Sequence, residues 1–273
     1  MIALESLHLE VEGKTARLRI DHGKANEMGR AQIGDWEALC DFLETGAVST
    51  LITWTDRRSA KGAPIFIAGA NVTERTSWTN DEVRAHVRRQ RALLVRLRHV
   101  PIFHIAVVHG VALGWGTEFM IACDWRIAVP GARFSLPETG LGILPGAGGA
   151  SELHALIGPT QALRLGMTGE AVEAAEAHRI GLVDELCADL DAGLVRAQAM
   201  AARMATRSPT AAAAYKAAVL AAIGRTPEDR RETEARAYEH CVATGEAAIG
   251  RANFAAITAG EAPPWGPFDR FLP

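Results

Sequence analysis

A mixed α/β fold is predicted by three features of the sequence: a strand-and-helix body up to residue 187, then an all-helical region over 188–273. First, strand and helix periodicities alternate through the early part of the chain. Second, glycine concentrates in one place, with nine of the 26 glycines falling between residues 110 and 149. Third, the composition turns Ala-rich after Gly181, and residues 188–258 read as helix throughout. The chain has 273 residues, 48% of them hydrophobic and 22% charged. That length allows one α/β core of about 200–250 residues with an appendage. The composition excludes global disorder, and no heptad register marks a coiled coil.

The elements follow in order. Leu7, Leu9, Val11 and then Ala16, Leu18, Ile20 recur at period two around Glu12-Gly13, which predicts a hairpin. Ile33, Trp36, Leu39 and Leu43 have helical spacing within 31–45. Val48 to Trp54 reads as a short buried strand, followed by a polar loop over 56–62 and the apolar Pro64-Ile65-Phe66-Ile67. Thr79 and Glu82 have capping-box spacing ahead of a helix carrying Val83, Val87, Leu94 and Leu97. Pro101 ends that helix. Ile102 to Val108 lacks alternation, so this strand is expected to be buried on both faces. Trp125–Val129 and Arg133–Leu136 read as two further strands inside the glycine-rich stretch. Pro209 and Pro227 stand near the starts of late helices.

Charge and cysteine usage narrow the function classes. The net charge of −3 provides neither a basic nucleic-acid stripe nor an acidic tail. The run Arg88-Arg89-Gln90-Arg91 falls in the helical pattern and reads as a solvated face. The four cysteines form no CxxC pair and have no histidine at ligand spacing, which speaks against zinc and a disulfide framework. No secretory signal and no span of about 18 apolar residues is legible, so a cytoplasmic location without membrane or nucleic-acid partners is expected.

Three segments stand out chemically. Phe66-Ile67-Ala68-Gly69-Ala70-Asn71 and His109 to Glu118 each run from a strand through a glycine turn toward a helix. Such turns leave backbone N–H groups free to donate, though a plain turn has the same pattern. Glu118 falls in a first helical turn, where the dipole alone favours an acid. Glu138 follows an apolar strand and Pro137, and reads equally as a loop carboxylate. Leu141 to Gly149 is apolar, glycine-rich and uncharged, a composition suited to lining a pocket. Together the segments offer two donors for a developing oxyanion and two carboxylates for acid–base work.

These segments resemble the crotonase (enoyl-CoA hydratase/isomerase) superfamily over roughly residues 15–187. The most specific stretch runs from Val107 to Gly149 and includes Ala122-Cys123-Asp124, Leu136-Pro137-Glu138 and Leu144 to Gly149. Leu165 to Glu170 and His178 to Glu185 add to the likeness. The resemblance implies a crotonase-like ββα spiral with an α-helical C-terminal region used for assembly into a trimer or hexamer. It implies an acyl-CoA substrate, coenzyme A arriving as part of that substrate, and no permanently bound cofactor. It assigns the oxyanion-hole N–H groups to Ala70 and Trp115, and water positioning to Gly146. Glu118 and Glu138 match the two glutamates of hydratases, which implies hydration of a 2-enoyl-CoA by a lyase. Glu118 would activate the water that adds at Cβ, and Glu138 would protonate Cα. For coenzyme A the resemblance points to Lys24, Ala25, Asn26, Met28 and Ala68, with Lys61 (and Arg57, Arg58) toward the 3′-phosphate. Other reactions of the superfamily, or a silent CoA- or RNA-binding role, are the alternatives.

The chain also departs from the pattern. Trp115 replaces the middle glycine of the usual turn, and its indole is expected to reshape the acyl pocket. Asn71 replaces an Asp and retains capping ability. The Thr and Arg common after Gly149 are missing, and the chain end is Pro-rich where the family is usually basic.

Overall fold

The period-two pattern near the N-terminus forms β1 (Leu7–Glu12) and β2 (Thr15–Ile20), an antiparallel hairpin turning at Gly13 with φ +56°. The computed structural model describes residues 4–273. α1 (Arg30–Glu44) follows and buries Ile33, Trp36, Leu39 and Leu43 along one stripe. Three ββα turns then build the body. They are β3 (Thr50–Trp54), β4 (Ile65–Ile67) and α2 (Asn80–His99); then β5 (Phe103–Val108), β6 (Val111–Leu113) and α3 (Trp115–Ile121); then β7 (Trp125–Ala128), β8 (Arg133–Ser135) and α4 (Leu153–Thr168).

The second strand of each turn enters a four-stranded sheet, in the order β4-β6-β8-β9, where β9 is Val172–Glu173. The first strand of each enters a six-stranded sheet, in the order β1-β2-β3-β5-β7-β10. β10 (Glu185–Leu186) follows α5 (Ala174–Ile180). Successive turns pair in parallel in both sheets, so the chain winds as a spiral. α2 begins with a reciprocal cap. Glu82 N–H donates to Thr79 Oγ1 at 3.3 Å, and Thr79 N–H donates to Glu82 Oε2 at 2.8 Å. α4 kinks at Gly158, where φ is +76°, just before Pro159.

The unbroken apolar run of β5 is buried on both faces. Ala106 and Val108 join the main core with Leu18, Phe66 and Phe119. Ile105 and Val107 join a second cluster with Ile52, Ile127, Ala197 and Ala201. The two alanines lie on α6 (Leu190–Met204), the first helix beyond residue 187. Gly193, Ala197 and Ala201 are spaced by four, so they form one small-residue stripe facing the sheet. A Cβ on Gly193 would stand 2.7 Å from Val107 Cγ1, so the helix lies directly on the strand. α6 therefore covers the outer face of the six-stranded sheet.

α7 (Pro209–Ala222) and α8 (Pro227–Ala243) pack together around Ala214, Ala237 and Phe271. Both start with a proline behind a capping Ser208 or Thr226. α9 (Glu246–Ala252) and α10 (Phe254–Thr258) complete the helices, and Trp265 Nε1 then donates to the Thr206 carbonyl at 3.0 Å. Lys216 of α7 ties this region to the body. Its Nζ meets Asp124 Oδ2 at 2.6 Å and the Ile102 carbonyl at 2.9 Å. Among the described residues, no helix is long and apolar enough to cross a membrane.

Candidate active site

Because β4, β6 and β8 are parallel neighbours, the turns leaving them emerge at one edge of the small sheet. These turns are Ala68-Gly69-Ala70, Gly114-Trp115-Gly116 and Leu136-Pro137-Glu138. They approach closely: a Cβ on Gly116 would stand 2.3 Å from the Ile67 carbonyl oxygen. Gly114 has φ +50°, and a Cβ there would stand 2.6 Å from Glu138 Oε1. Glycine is required at 114 on both grounds.

Neighbouring N–H groups in these turns are committed. Ala68 donates to Ala25 O at 3.0 Å, Asn71 to Met28 O at 2.8 Å and Gly114 to Ser135 O at 2.8 Å. Among the described residues, the Ala70 and Trp115 N–H groups donate to no protein acceptor. Both residues line a cavity of about 670 Å³, together with Ala68, Glu118, Glu138 and Gly146. Asn71 caps the turn that follows, its Oδ1 accepting from Glu74 N–H at 3.1 Å.

The two carboxylates have different surroundings. Glu118, on α3, is 4% exposed. Its Oε1 accepts from Ala147 N–H at 2.6 Å and Gly149 N–H at 3.0 Å. Burial raises its pKa, and these two N–H groups oppose the rise by stabilising the charge. Glu138 lies in a 3-10 turn spanning Pro137–Leu141. Its carboxyl is pushed up to about 7, chiefly by burial, with the nearby Glu118 charge adding to the effect. Glu138 Oε2 is buried without a hydrogen-bond partner. One cavity thus holds two free donors, a buried Glu118 carboxyl held by two N–H groups and a Glu138 carboxyl pushed up to about 7.

A sequence model described as enoyl-CoA hydratase/isomerase matches residues 60–259. The chain belongs to the enoyl-CoA hydratase/isomerase family. Crotonyl-CoA hydratase of Syntrophomonas wolfei is 32% identical over 259 residues, 93% of this chain and 96% of that protein. A probable mitochondrial enoyl-CoA hydratase of Arabidopsis thaliana is 35% identical over 191 residues, 70% of this chain and 63% of that one. Among solved structures, an enoyl-CoA hydratase from Bacillus anthracis superposes with a TM-score of 0.86 at 28% identity, covering 96% of this chain and 99% of that one. Pseudomonas aeruginosa DspI superposes with a TM-score of 0.86 at 30% identity, covering 97% and 98%.

Within this hydratase/isomerase-family chain, several expected residues are placed otherwise than their sequence position suggested. The Trp115 indole, expected to reshape the acyl pocket, is a core group. It is 3% exposed and packs in the core, 6.3 Å from the Trp36 ring and 5.8 Å from Phe119. The backbone N–H of residue 115 is what remains free to donate. Asn26 and Met28 are buried, so their side chains are unavailable to a ligand. Asn26, at φ +55°, donates through Nδ2 to Phe66 O at 2.8 Å and Thr55 Oγ1 at 3.1 Å. Met28 bridges to Ala70 and so braces the turn that carries the donor. Lys24 and Lys61 are exposed and Ala25 is half-buried, all outside the cavity wall.

The run 88–91 is not a simple solvated face. Arg88 and Arg91 line the cavity, Gln90 is buried, and Arg89 forms a two-pronged pair with Glu37 at 2.7 and 2.6 Å. Val83 and Val87 also face the cavity, while His86, Gln90, Leu93, Leu94 and Leu97 form the buried face of α2. Sequence reasoning missed Arg91, whose Nε donates to the Gly146 carbonyl at 2.6 Å, and the Ala147 and Gly149 donors. The uncharged glycine-rich run over 141–149 was the available signal for the latter.

Proposed function

We propose that the protein hydrates a 2-enoyl-CoA thioester. The observation that carries this reading is the placement of two unequal carboxyls in the cavity that the free Ala70 and Trp115 N–H groups line. In the derived mechanism, the thioester oxygen accepts from these two donors and takes up negative charge as the reaction proceeds. Glu118 Oε1 is already committed, so Oε2 is the oxygen that accepts from water. Water loses a proton toward the carboxylates as its oxygen bonds to Cβ. The π electrons shift toward Cα and the thioester oxygen. Glu138, neutral below about pH 7, donates its proton to Cα, and the proton from water restores the pair.

Coenzyme A is substrate here and no resident cofactor is required. We further propose assembly as a trimer or hexamer through the helical region, which leaves Tyr215, Tyr238 and Phe254 largely exposed on the single chain.

The test is loss of the ultraviolet absorbance of the conjugated enoyl thioester on mixing with crotonyl-CoA and longer 2-enoyl-CoAs. Glu118→Gln and Glu138→Gln should each slow hydration by about 10²–10⁴-fold, the usual worth of a positioned acid or base. Double-bond migration that survives in Glu118→Gln and vanishes in Glu138→Gln would replace hydration with isomerisation.

A further inference from the structure

The cavity wall contributed by α2 and by the 3-10 turn before it (Glu74–Ser77, which carries Arg75) bears more positive charge than the protein balances. Arg75, Arg84, Arg88 and Arg91 all line the cavity. Arg84 is paired with Asp81 at 2.7 Å. Among the described residues, Arg75, Arg88 and Arg91 form no ion pair. On another face of the same helix the pairing is thorough: Arg89 meets Glu37 and Arg96 meets Asp41 and Glu44.

Arg75 is the telling member, because it is half-buried and burial disfavours its charge. Its Nη2 donates to Gln90 Oε1 at 2.9 Å, and Gln90 is only 3% exposed. Arg75 Nε and Gln90 Nε2 are both buried donors without an acceptor. The neighbouring Glu74 favours the Arg75 charge without forming an ion pair with it, and the corner is short of acceptors. The unpaired charge reaches His86, one turn before Gln90, which burial first and Arg75 next push down to about 4.

The corner lines the same cavity as the two glutamates. Arg91 is bonded to the Gly146 carbonyl, beside the Ala147 N–H that holds Glu118. A Cβ on Gly146 would stand 3.1 Å from Val87 Cγ1, so α2 abuts the loop behind Glu118. A thioester seated on the Ala70 and Trp115 donors with its double bond at the glutamates sends its chain toward this wall. Val83 and Val87 supply apolar lining for the methylenes.

We propose that the Arg75–Gln90 corner receives a carboxylate at the far end of the acyl chain, making ω-carboxy acyl-CoA thioesters the preferred substrates. The proposal rests on the hydratase reading only for the direction in which the chain runs. The shared chemistry is anion recognition, and the phosphates of coenzyme A are the other source of an anion.

Equilibrium binding to the full-length protein separates these cases without turnover. The probes are glutaryl-CoA against pentanoyl-CoA, adipyl-CoA against hexanoyl-CoA, and free coenzyme A. In at least one pair the carboxylated member should bind about ten-fold tighter or more. Arg75→Met should bring that ratio close to one and leave free coenzyme A unaffected, and Gln90→Met should reduce the ratio several-fold. Should Arg75→Met fail to fold, Gln90→Met and Arg75→Lys carry the comparison. A wild-type ratio of one or less in both pairs would overturn the proposal, as would a ratio untouched by the variants. Equal weakening of free coenzyme A and all four thioesters by Arg75→Met would assign the cation to the phosphates instead. Hydration of crotonyl-CoA without any carboxylate preference defeats this inference alone. A carboxylate preference without hydration defeats the reaction reading alone.

Discussion

At Glu138, environment changes the chemistry of a cavity-lining residue. A carboxyl with an ordinary value of 4.5 is carried to about 7 by burial beside Glu118. The folded state therefore holds this proton more tightly than the unfolded chain does. The stabilisation it provides is complete below about pH 4.5 and is lost as pH rises to about 7. Glu138→Gln removes the titration, so the variant should gain on the wild type across that window and keep a constant advantage above it. Solvent at the cavity mouth limits the gain to about 1–2 kcal/mol, measurable by denaturant unfolding at pH 5 and pH 8. An advantage independent of pH would show that Glu138 is not the perturbed group. Hydration that needs the Glu138 proton should decline as pH rises through about 7.

At the scale of elements, the site depends on how closely adjacent ββα turns approach. α3 begins directly above the end of β4, with Gly116 against the Ile67 carbonyl. Backbone cannot yield as a flexible side chain can, so Gly116→Ala must shift the helix start. We expect a loss of about 1–3 kcal/mol in unfolding free energy. The Trp115 donor and Glu118 both sit on that first turn, so hydration should fall by more than the loss of folded protein explains. Stability and activity both unchanged in Gly116→Ala would contradict this account of the packing.

At the scale of the molecule, two attachments of the helical region to the body stand out among several. α6 lies on the six-stranded sheet through its small-residue stripe, and α7 reaches the body through Lys216. The Lys216 and Asp124 side chains are only 13% and 17% exposed. Lys216→Met would leave Asp124 largely buried with the His104 N–H as a remaining donor. The expected cost is about 3 kcal/mol, read as a lower denaturant midpoint. Beyond these attachments, Tyr215, Tyr238, Phe254 and Val195 are each more than two-thirds exposed on the single chain. Light scattering should give the mass of three or six copies, and Tyr215→Glu should reduce it if α7 lies in the contact. A monomer mass for the wild type would remove the assembly proposal.

Much of this organisation is local in origin and so legible in the residues. The hairpin, the Thr79–Glu82 cap and the two-faced burial of β5 follow from periodicity and capping. The turns bearing Ala70, Trp115 and Glu138 are marked by glycine and proline between apolar strands. What could not be read locally is where side chains point once strands distant in sequence become neighbours. Trp115 offers its N–H to the cavity while its indole enters the core, because Trp36 and Phe119 stand behind it. Asn26 and Met28 brace the turn after β4 because the chain folds back against it. Arg75 and Gln90, fifteen residues apart, meet only when α2 closes over the cavity. Helical spacing can place Gln90 with Leu93, Leu94 and Leu97, but the packed structure alone decides which face of α2 meets the core and which meets the cavity. Direction and proximity across the sheets are tertiary quantities, and they bring Glu118 and Glu138 to one cavity.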